Sequence, residues 1–389
     1  MIHNPIVLIV VLLSIEGVVL YLANHKNFSK YFDVLPSVFW IYFLPMLASS
    51  FGLIDSQSFI YSKITTYLLP MALFLLLMTV DIKAIVRLGP PALIMFFVGT
   101  VGIMLGIVVV FVLFQNIIGS QFWSGFAALT GSWTGGSANM IAVKEALGVP
   151  DAVFLPMVIV DTIVPYVWMA GMVACVGLAP MFDRWNNSDR TILDDLQGKI
   201  KNVASFTVQK LTIKTTIGLG VLALVGGMVS IYLSHFLPQI KGIISTYAWT
   251  IIIVSCIGIL LSMTPARKLE SYGTNKIGYF ILYFVLTSIG AKASIHHLGT
   301  AAILIVAGFL VVFIHAIVLL IGAKIMRAPL FLAVVSSQAN VGGVASAPLV
   351  AEIYQKGFAS VGLLLAILGN IEGTYIGILT GQICHFFAH

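Results

Sequence analysis

The side chains most able to do chemistry in this chain lie inside apolar runs. Asp161 sits about ten residues into the run at 151–178, roughly 15 Å along a helix at 1.5 Å per residue, which puts it near the middle of a bilayer. A carboxyl group there costs at least about 2.5–3.5 kcal/mol on insertion scales, so it calls for a partner, a proton or a cation. The counterparts of Asp161 in the last run are Asn370 and Glu372. With Thr162, Asn139 and backbone carbonyls, Asp161 can build an oxygen-only site of the kind hard cations accept. The coupling-ion candidates are therefore Asp161, Thr162, Asn370 and Glu372. The ion is sodium or a proton, and Asp161 with Asn139 forms the candidate sodium site.

A second set of chemistry-bearing residues interrupts two apolar runs. The first reads Thr130-Gly-Ser132-Trp-Thr134-Gly135-Gly136-Ser137-Ala-Asn139, and the second Ser336-Ser337-Gln338-Ala-Asn340-Val-Gly342-Gly343-Val-Ala-Ser346. Non-helical backbone at membrane depth persists only where protein buries it or a wet cavity lines it, because an unsatisfied amide costs several kcal/mol in lipid. The glycine pairs let the chain reverse at positive φ and let a ligand approach the backbone. Ser137 or Asn139, and Ser346 with Pro348 after it, are read as N-caps of the second arms. Helix N-termini at the midplane offer free amides and partial positive charge, which suits an anionic group. The predicted solute-binding residues are thus Thr130, Ser132, Thr134, Gly135, Gly136, Ser137, Asn139, Ser337, Gln338, Asn340, Gly342, Gly343 and Ser346.

Composition says what kind of molecule must position these residues. Of 389 residues 60% are hydrophobic and only 9% charged, with a mean hydropathy of +1.07. A soluble domain carries about 25% charged residues, so the chain is a multi-pass membrane protein. Apolar runs fall near 5–23, 34–53, 63–80, 91–114, 121–149 and 151–178, then, after a polar stretch, near 214–236, 247–263, 275–290, 300–322, 330–355 and 358–384. The order of long, short and interrupted runs repeats at a displacement of about 210 residues. Ile85, Leu88 and Gly89 superpose on Ile295, Leu298 and Gly299 without gaps, and the interrupted runs are fifth in each half.

The lysines and arginines choose the topology. If the fifth runs are re-entrant hairpins and the N-terminus is outside, sixteen of the 20 basic residues lie inside and only Lys63, Lys144, Lys241 and Lys292 outside, as the positive-inside rule expects. Five crossings per half then invert the second half relative to the first, so the hairpins enter from opposite faces. The predicted fold is all-α and polytopic: residues 1–180 form one repeat, 181–213 a cytoplasmic linker, and 214–389 the inverted second repeat. Each repeat holds five transmembrane helices and one re-entrant hairpin. Within the linker, Ile192, Leu193, Leu196, Ile200, Val203 and Phe206 recur at helical spacing and predict an amphipathic surface helix.

Other polar residues have plainer readings. Glu16 is read as packing or dimer-related, His315 as a satisfied bundle histidine, and Glu352 with Lys356 as an i,i+4 pair. Gly373, Gly377 and Gly381 read as close-packing glycines. Cys175, Cys256 and Cys384 form no disulfide or metal spacing. The sequence holds no phosphate-binding loop and no nucleophile elbow, so it is read as neither an enzyme nor a cofactor or nucleic-acid binder, and transport would draw on an ion gradient.

The two interrupted motifs resemble the uncharacterised membrane family 819, the YjcL-like proteins, over nearly the whole chain. That family is similar to the superfamily of sodium/glutamate, 2-hydroxycarboxylate and bile-acid symporters and cation/proton antiporters. The resemblance implies that Gly135, Gly136, Gly342 and Gly343 form hairpin tips at the substrate site, with one domain moving against a dimeric scaffold. The chain departs in having no arginine within 330–355 to hold a carboxylate. The expected function is ion-coupled symport of a small anionic or zwitterionic solute by a homodimer of the bacterial inner membrane. A cation/proton antiporter and a membrane scaffold or sensor are the alternatives.

The charge bias sets a test of topology. In a cysteine-free background, Lys199→Cys should resist a membrane-impermeant thiol reagent in intact cells, and Gln57→Cys should react. The reverse pattern would remove the inverted arrangement.

Overall fold

A computed structural model describes residues 1–29, 32, 37–189, 191–200, 212–239, 245–292 and 301–388. The helices among them are α1 (Pro5–Asn24), α2 (Ser37–Ser50), α3 (Phe59–Leu77), α4 (Ile82–Arg87), α5 (Pro90–Ile118), α6 (Trp123–Gly135), α7 (Ser137–Leu147), α8 (Asp151–Ala174), α9 (Ala179–Asn186), α10 (Thr191–Ile200), α11 (Ile213–Ser234), α12 (Thr246–Ser262), α13 (Thr274–Lys292), α14 (Ala301–Met326), α15 (Leu330–Val341), α16 (Gly343–Tyr354) and α17 (Ala359–Phe387). No strand occurs among the described residues. Seven helices, α1, α3, α5, α8, α11, α14 and α17, are long and apolar enough to cross a bilayer. Counting α12 with the 3-10 turn that bends 95° away from it makes eight.

Local sequence sets the helix ends. Asn4 caps α1 by accepting from the amides of Ile6 and Val7, with Pro5 at the first helical position. Asp81 accepts from Ala84 N and caps α4. Gly89, at φ +84°, turns the chain into Pro90 and α5, and Gly119, at φ +99°, ends that helix.

The chain divides into two compact units, each taking segments from both sides of the linker. Unit 1 comprises Met1–Thr79, Glu145–Thr162 and Thr207–Ala301; unit 2 comprises Val80–Lys144, Ile163–Phe206 and Ala302–His389. In unit 1, α3 packs against α11, α12 and α13. Small residues let these apolar helices approach closely, since burial of apolar surface alone gives no drive in lipid. Gly226 and Gly227 of α11 lie against Phe74 and Met71 of α3, Gly258 of α12 against Leu77, and Gly290 of α13 against the backbone of Tyr42. Polar stitches add to this packing: Tyr247 Oη donates to Thr65 O (3.0 Å), Thr79 Oγ1 to Asn275 Oδ1 (2.9 Å), and Thr250 Oγ1 to Ser234 Oγ (2.9 Å).

In unit 2, α17 is the central element and packs on α5, α6, α15 and α16. Its Gly369, Gly373 and Gly377, one per turn, face Thr134 O, Gly135 and Gly131 of α6, the close approach read from the sequence for Gly373 and Gly377. The start of the linker is anchored rather than loose. Asn186 is buried and donates to Ala323 O (3.1 Å) and Ala328 O (2.9 Å), while Asp183 Oδ1 accepts from Leu330 N (2.9 Å) and so caps α15. The amphipathic segment is helical over α10 with Leu196 buried; Val203 and Phe206 lie outside the described residues.

Gly290 and Gly220 provide a paired test of this packing. A methyl at Gly290 would collide with Tyr42 O, whereas one at Gly220 would meet no protein atom within 4 Å. Gly290→Ala should lower the unfolding midpoint in detergent by an amount equivalent to about 1–3 kcal/mol of overpacking. Gly220→Ala should leave the midpoint unchanged or raise it, by up to about 1 kcal/mol from helix propensity.

Candidate functional site

Both interrupted runs break where the sequence places their glycine pairs, and both breaks lie in unit 2. Within each pair the two glycines do different work. The second of each pair carries the positive φ: Gly136 at +84° and Gly343 at +61°. A methyl on Gly343 would meet no protein atom within 4 Å, and one on Gly136 only Asn370 Oδ1, at 3.5 Å. The first of each pair is crowded instead. A methyl on Gly135 would strike the Asn139 amide, Gly369 O and Gly373 Cα, and one on Gly342 the Gln338 amide and Ser346 Oγ.

Beside each break an asparagine ties three groups together in the same pattern. Asn139 Nδ2 donates to Gly135 O, four residues back on its own strand of backbone (2.6 Å), and to Asn370 O of α17 (3.3 Å), while its Oδ1 accepts from Thr374 Oγ1 (2.5 Å). Asn340 Nδ2 donates to Ser336 O, also four residues back (2.9 Å), and to Phe96 O of α5 (3.2 Å), while its Oδ1 accepts from Thr100 Oγ1 (3.1 Å). In each case the partner helix offers a carbonyl and, four residues on, a threonine on the same face. Asn139 follows its break and Asn340 precedes its own, so the 210-residue displacement does not relate them.

The two clusters differ in one member. Thr374 Oγ1 donates to Asn139 Oδ1, but Thr100 Oγ1 lies 2.5 Å from Glu372 Oε1 as well as 3.1 Å from Asn340 Oδ1. Residues Asn370 and Thr374 of α17 therefore address the first break and Glu372, two residues round the helix, the second. Next to Thr100, Gly99 O accepts from His315 Nδ1 (2.9 Å), so that nitrogen carries the proton. His315 Nε2 then accepts from Ser337 Oγ (3.0 Å), which itself accepts from Trp168 Nε1 (2.9 Å). His315 is thus satisfied on both nitrogens, as its sequence reading held.

A profile described as "Protein of unknown function (DUF819)" matches residues 10–387. The chain belongs to the DUF819 family. It is also similar to the Uncharacterized membrane protein YjcL of Bacillus subtilis (strain 168), with 23% identity over 353 residues that cover 87% of each chain. The family assignment made from the two interrupted motifs therefore holds, and this DUF819 member is a multi-pass membrane protein.

The other predicted residues fall as follows. Thr130 and Thr134 are buried and bond back to Phe126 O and Thr130 O, so their hydroxyls serve α6 itself. Ser132 is buried, and its carbonyl accepts from Gly136 N where the helix ends. Gln338 Nε2 donates to Ser346 Oγ (2.5 Å), which leaves Gln338 Oε1, in a side chain only 1% exposed, without a partner among the described residues; buried Ser336 Oγ is in the same position. Asp161 and Thr162 belong to unit 1, where Thr162 Oγ1 donates to Val158 O (2.8 Å), whereas Asn139 belongs to unit 2.

The predicted caps need correction. Gly136 O takes the first amides of α7, from Asn139 and Met140, and Ser137 is already the first helical residue. Ser346 lies inside α16 with Gly342 at its start. The Asn139 and Ser346 side chains do not cap because Asn139 reaches across to α17 and Ser346 accepts from Gln338. Thr100, Trp168 and the Phe96 carbonyl were not among the sequence candidates. A lone threonine in the apolar run of α5, beside a glycine, was the available signal.

The asparagine clusters predict a stability cost. Asn139→Leu strands Thr374 and leaves the carbonyls of Gly135 and Asn370 without this donor. It should lower the stability of the purified protein in a thermal-unfolding assay by about 1–3 kcal/mol for each buried group left unpaired. Thr374→Val should cost less than Asn139→Leu.

Proposed function

We propose that this DUF819 protein is a secondary-active transporter. It carries a small anionic or zwitterionic solute across the bacterial cytoplasmic membrane in symport with sodium or protons, as a homodimer working by elevator-like alternating access. The observation that carries this reading is the presence, within one compact unit, of two broken helices whose positive-φ glycines are uncrowded by protein and whose flanks are fixed by buried polar clusters, the first on α17 and the second on α5. A scaffold or sensor has no use for paired breaks of this kind.

Arm length supports re-entrant hairpins. α6 and α7 have 13 and 11 residues, and α15 and α16 have 12 each. Such arms reach roughly 17–20 Å at 1.5 Å per residue, less than the ~30 Å hydrocarbon core. In this reading unit 2 carries the solute and unit 1 anchors the dimer. The unpartnered oxygens of Gln338 and Ser336 supply acceptors for the solute's donors. The N-termini of α7 and α16 supply partial positive charge for its anionic group. No cofactor and no chemical step is required. An antiporter would use Glu372 and Asp161 without an organic solute, and uptake of labelled metabolites with and without a sodium gradient separates the two.

The breaks give the decisive variants. Alanine at φ +84° or +61° is strained, and its methyl points where a solute would meet the backbone. Gly136→Ala and Gly343→Ala should each reduce uptake in proteoliposomes at least about tenfold, equivalent to about 1.4 kcal/mol, while remaining monodisperse. Asp161→Asn should keep the fold and abolish sodium dependence if sodium is the coupling ion. Wild-type uptake in both glycine variants would overturn the assignment of the breaks as the solute site.

A further inference from the structure

The two asparagine clusters have the same bonds and different proton counts. Asn139 Oδ1 needs one donor, and Thr374 supplies it. Asn340 Oδ1 also needs one donor. Its amide orientation is fixed, because Nδ2 faces two carbonyls, those of Ser336 and Phe96, which can only accept. The donor is Thr100 Oγ1, at 3.1 Å. A threonine hydroxyl has one proton, yet Thr100 Oγ1 also lies 2.5 Å from Glu372 Oε1. An ionised carboxylate accepts only, so it would take that proton and leave Thr100 Oγ1 and Asn340 Oδ1, two lone-pair-bearing oxygens, facing each other. The two shorter contacts of Thr100 close together in a single way: Glu372 brings its own proton, donates it to Thr100 Oγ1, and Thr100 donates onward to Asn340 Oδ1, while Phe96 O, a longer 3.4 Å from Thr100 Oγ1, keeps the Asn340 amide as its donor.

We infer that Glu372 is a proton-binding site and that the proton it holds, relayed through Thr100, fixes Asn340 and with it the end of α15 next to the Gly342–Gly343 break. Loss of the proton makes Glu372 the acceptor of the Thr100 hydroxyl and strips Asn340 Oδ1 of its donor. The arm carrying Ser336, Ser337 and Gln338 is then released from α5. The sign follows: the tether is present while Glu372 is protonated and is lost as pH rises through its titration. No competing ionisable group is found on the closest elements, because α5, α6 and α15 contain no Asp, Glu, Lys, Arg or His. Of the other helices against α17, α16 contributes Glu352, whose carboxylate accepts from Gly357 N (2.9 Å), α4 contributes Lys83 and Arg87, and α10 contributes Asp194 and Asp195. His315 reaches this region through Gly99 O and through Ser337 Oγ on the arm itself.

The inference deepens the transport reading by naming the proton as an ion the solute-carrying unit binds, and its test does not use transport. Infrared difference spectra of the full-length protein in lipid nanodiscs, titrated from acid to alkaline pH, should contain a protonated-carboxyl C=O band at neutral pH. That band should vanish in Glu372→Gln and shift in Thr100→Val. Hydrogen exchange at residues 336–342, taken relative to the intrinsic amide rate at each pH, should be about tenfold faster on the alkaline side in wild type, the size expected when one buried acceptor loses its donor. In Glu372→Gln it should be pH-independent, because the Gln amide donates to Thr100 as the protonated acid does. A band at neutral pH that is unaltered in Glu372→Gln, or pH-dependent exchange that persists in that variant, would overturn the inference. If the proton switch is found and no solute or ion moves in proteoliposomes, the transport reading fails alone. If Glu372 is ionised at neutral pH and uptake follows sodium, the switch fails alone.

Discussion

The structure of unit 2 rests on one constraint: a helix broken inside hydrocarbon must find partners for the backbone groups and polar side chains it exposes, since no water is present to take them. Both breaks meet it in the same way. A primary amide, with two donors and one acceptor, spans two carbonyls and a hydroxyl, and the helix opposite presents the second carbonyl and the hydroxyl four residues apart. An aspartate could not substitute, having no donor, and a glutamine would place its amide one methylene too far out. The positive-φ glycines then turn the chain without adding a side chain to be housed.

Close packing makes these short polar contacts possible. Gly369, Gly373 and Gly377 bring α17 against α6 with backbone nearly touching backbone, which is how Asn139 reaches the α17 carbonyl at Asn370. On the other flank Gly99, Gly102 and Gly106 of α5 accept His315 and Val311 of α14, or in the case of Gly99 His315 and Asn340. Bulkier residues in either stripe would separate the asparagines from their partners by more than a hydrogen bond spans.

What the sequence disclosed and what it hid divide along a physical line. Breaks, capping glycines and packing glycines are local properties, and the positions of Gly136, Gly343, Gly373 and Gly377 were legible from composition and spacing. Asn139, Asn340 and Glu372 were legible as candidates, because polar atoms at membrane depth are costly enough to need a purpose. Their partners were not, because Thr374 lies 235 residues from Asn139 and Thr100 lies 240 from Asn340 and 272 from Glu372. The serine at 346 satisfied every local rule for a helix cap and was claimed instead by Gln338, a competition that becomes visible only once the arms are folded together.

The two membrane acids are placed differently. Asp161 belongs to unit 1, while every contact made by the Glu372 carboxyl is complete within unit 2. What a proton on Glu372 does is decided inside unit 2, by how Thr100 and Asn340 share one hydroxyl proton. For the proposed carrier, an ion that loads within the unit holding both breaks is the simpler arrangement, and there the Glu372 carboxyl meets the hydroxyl of Thr100, which in turn meets the asparagine beside the second break.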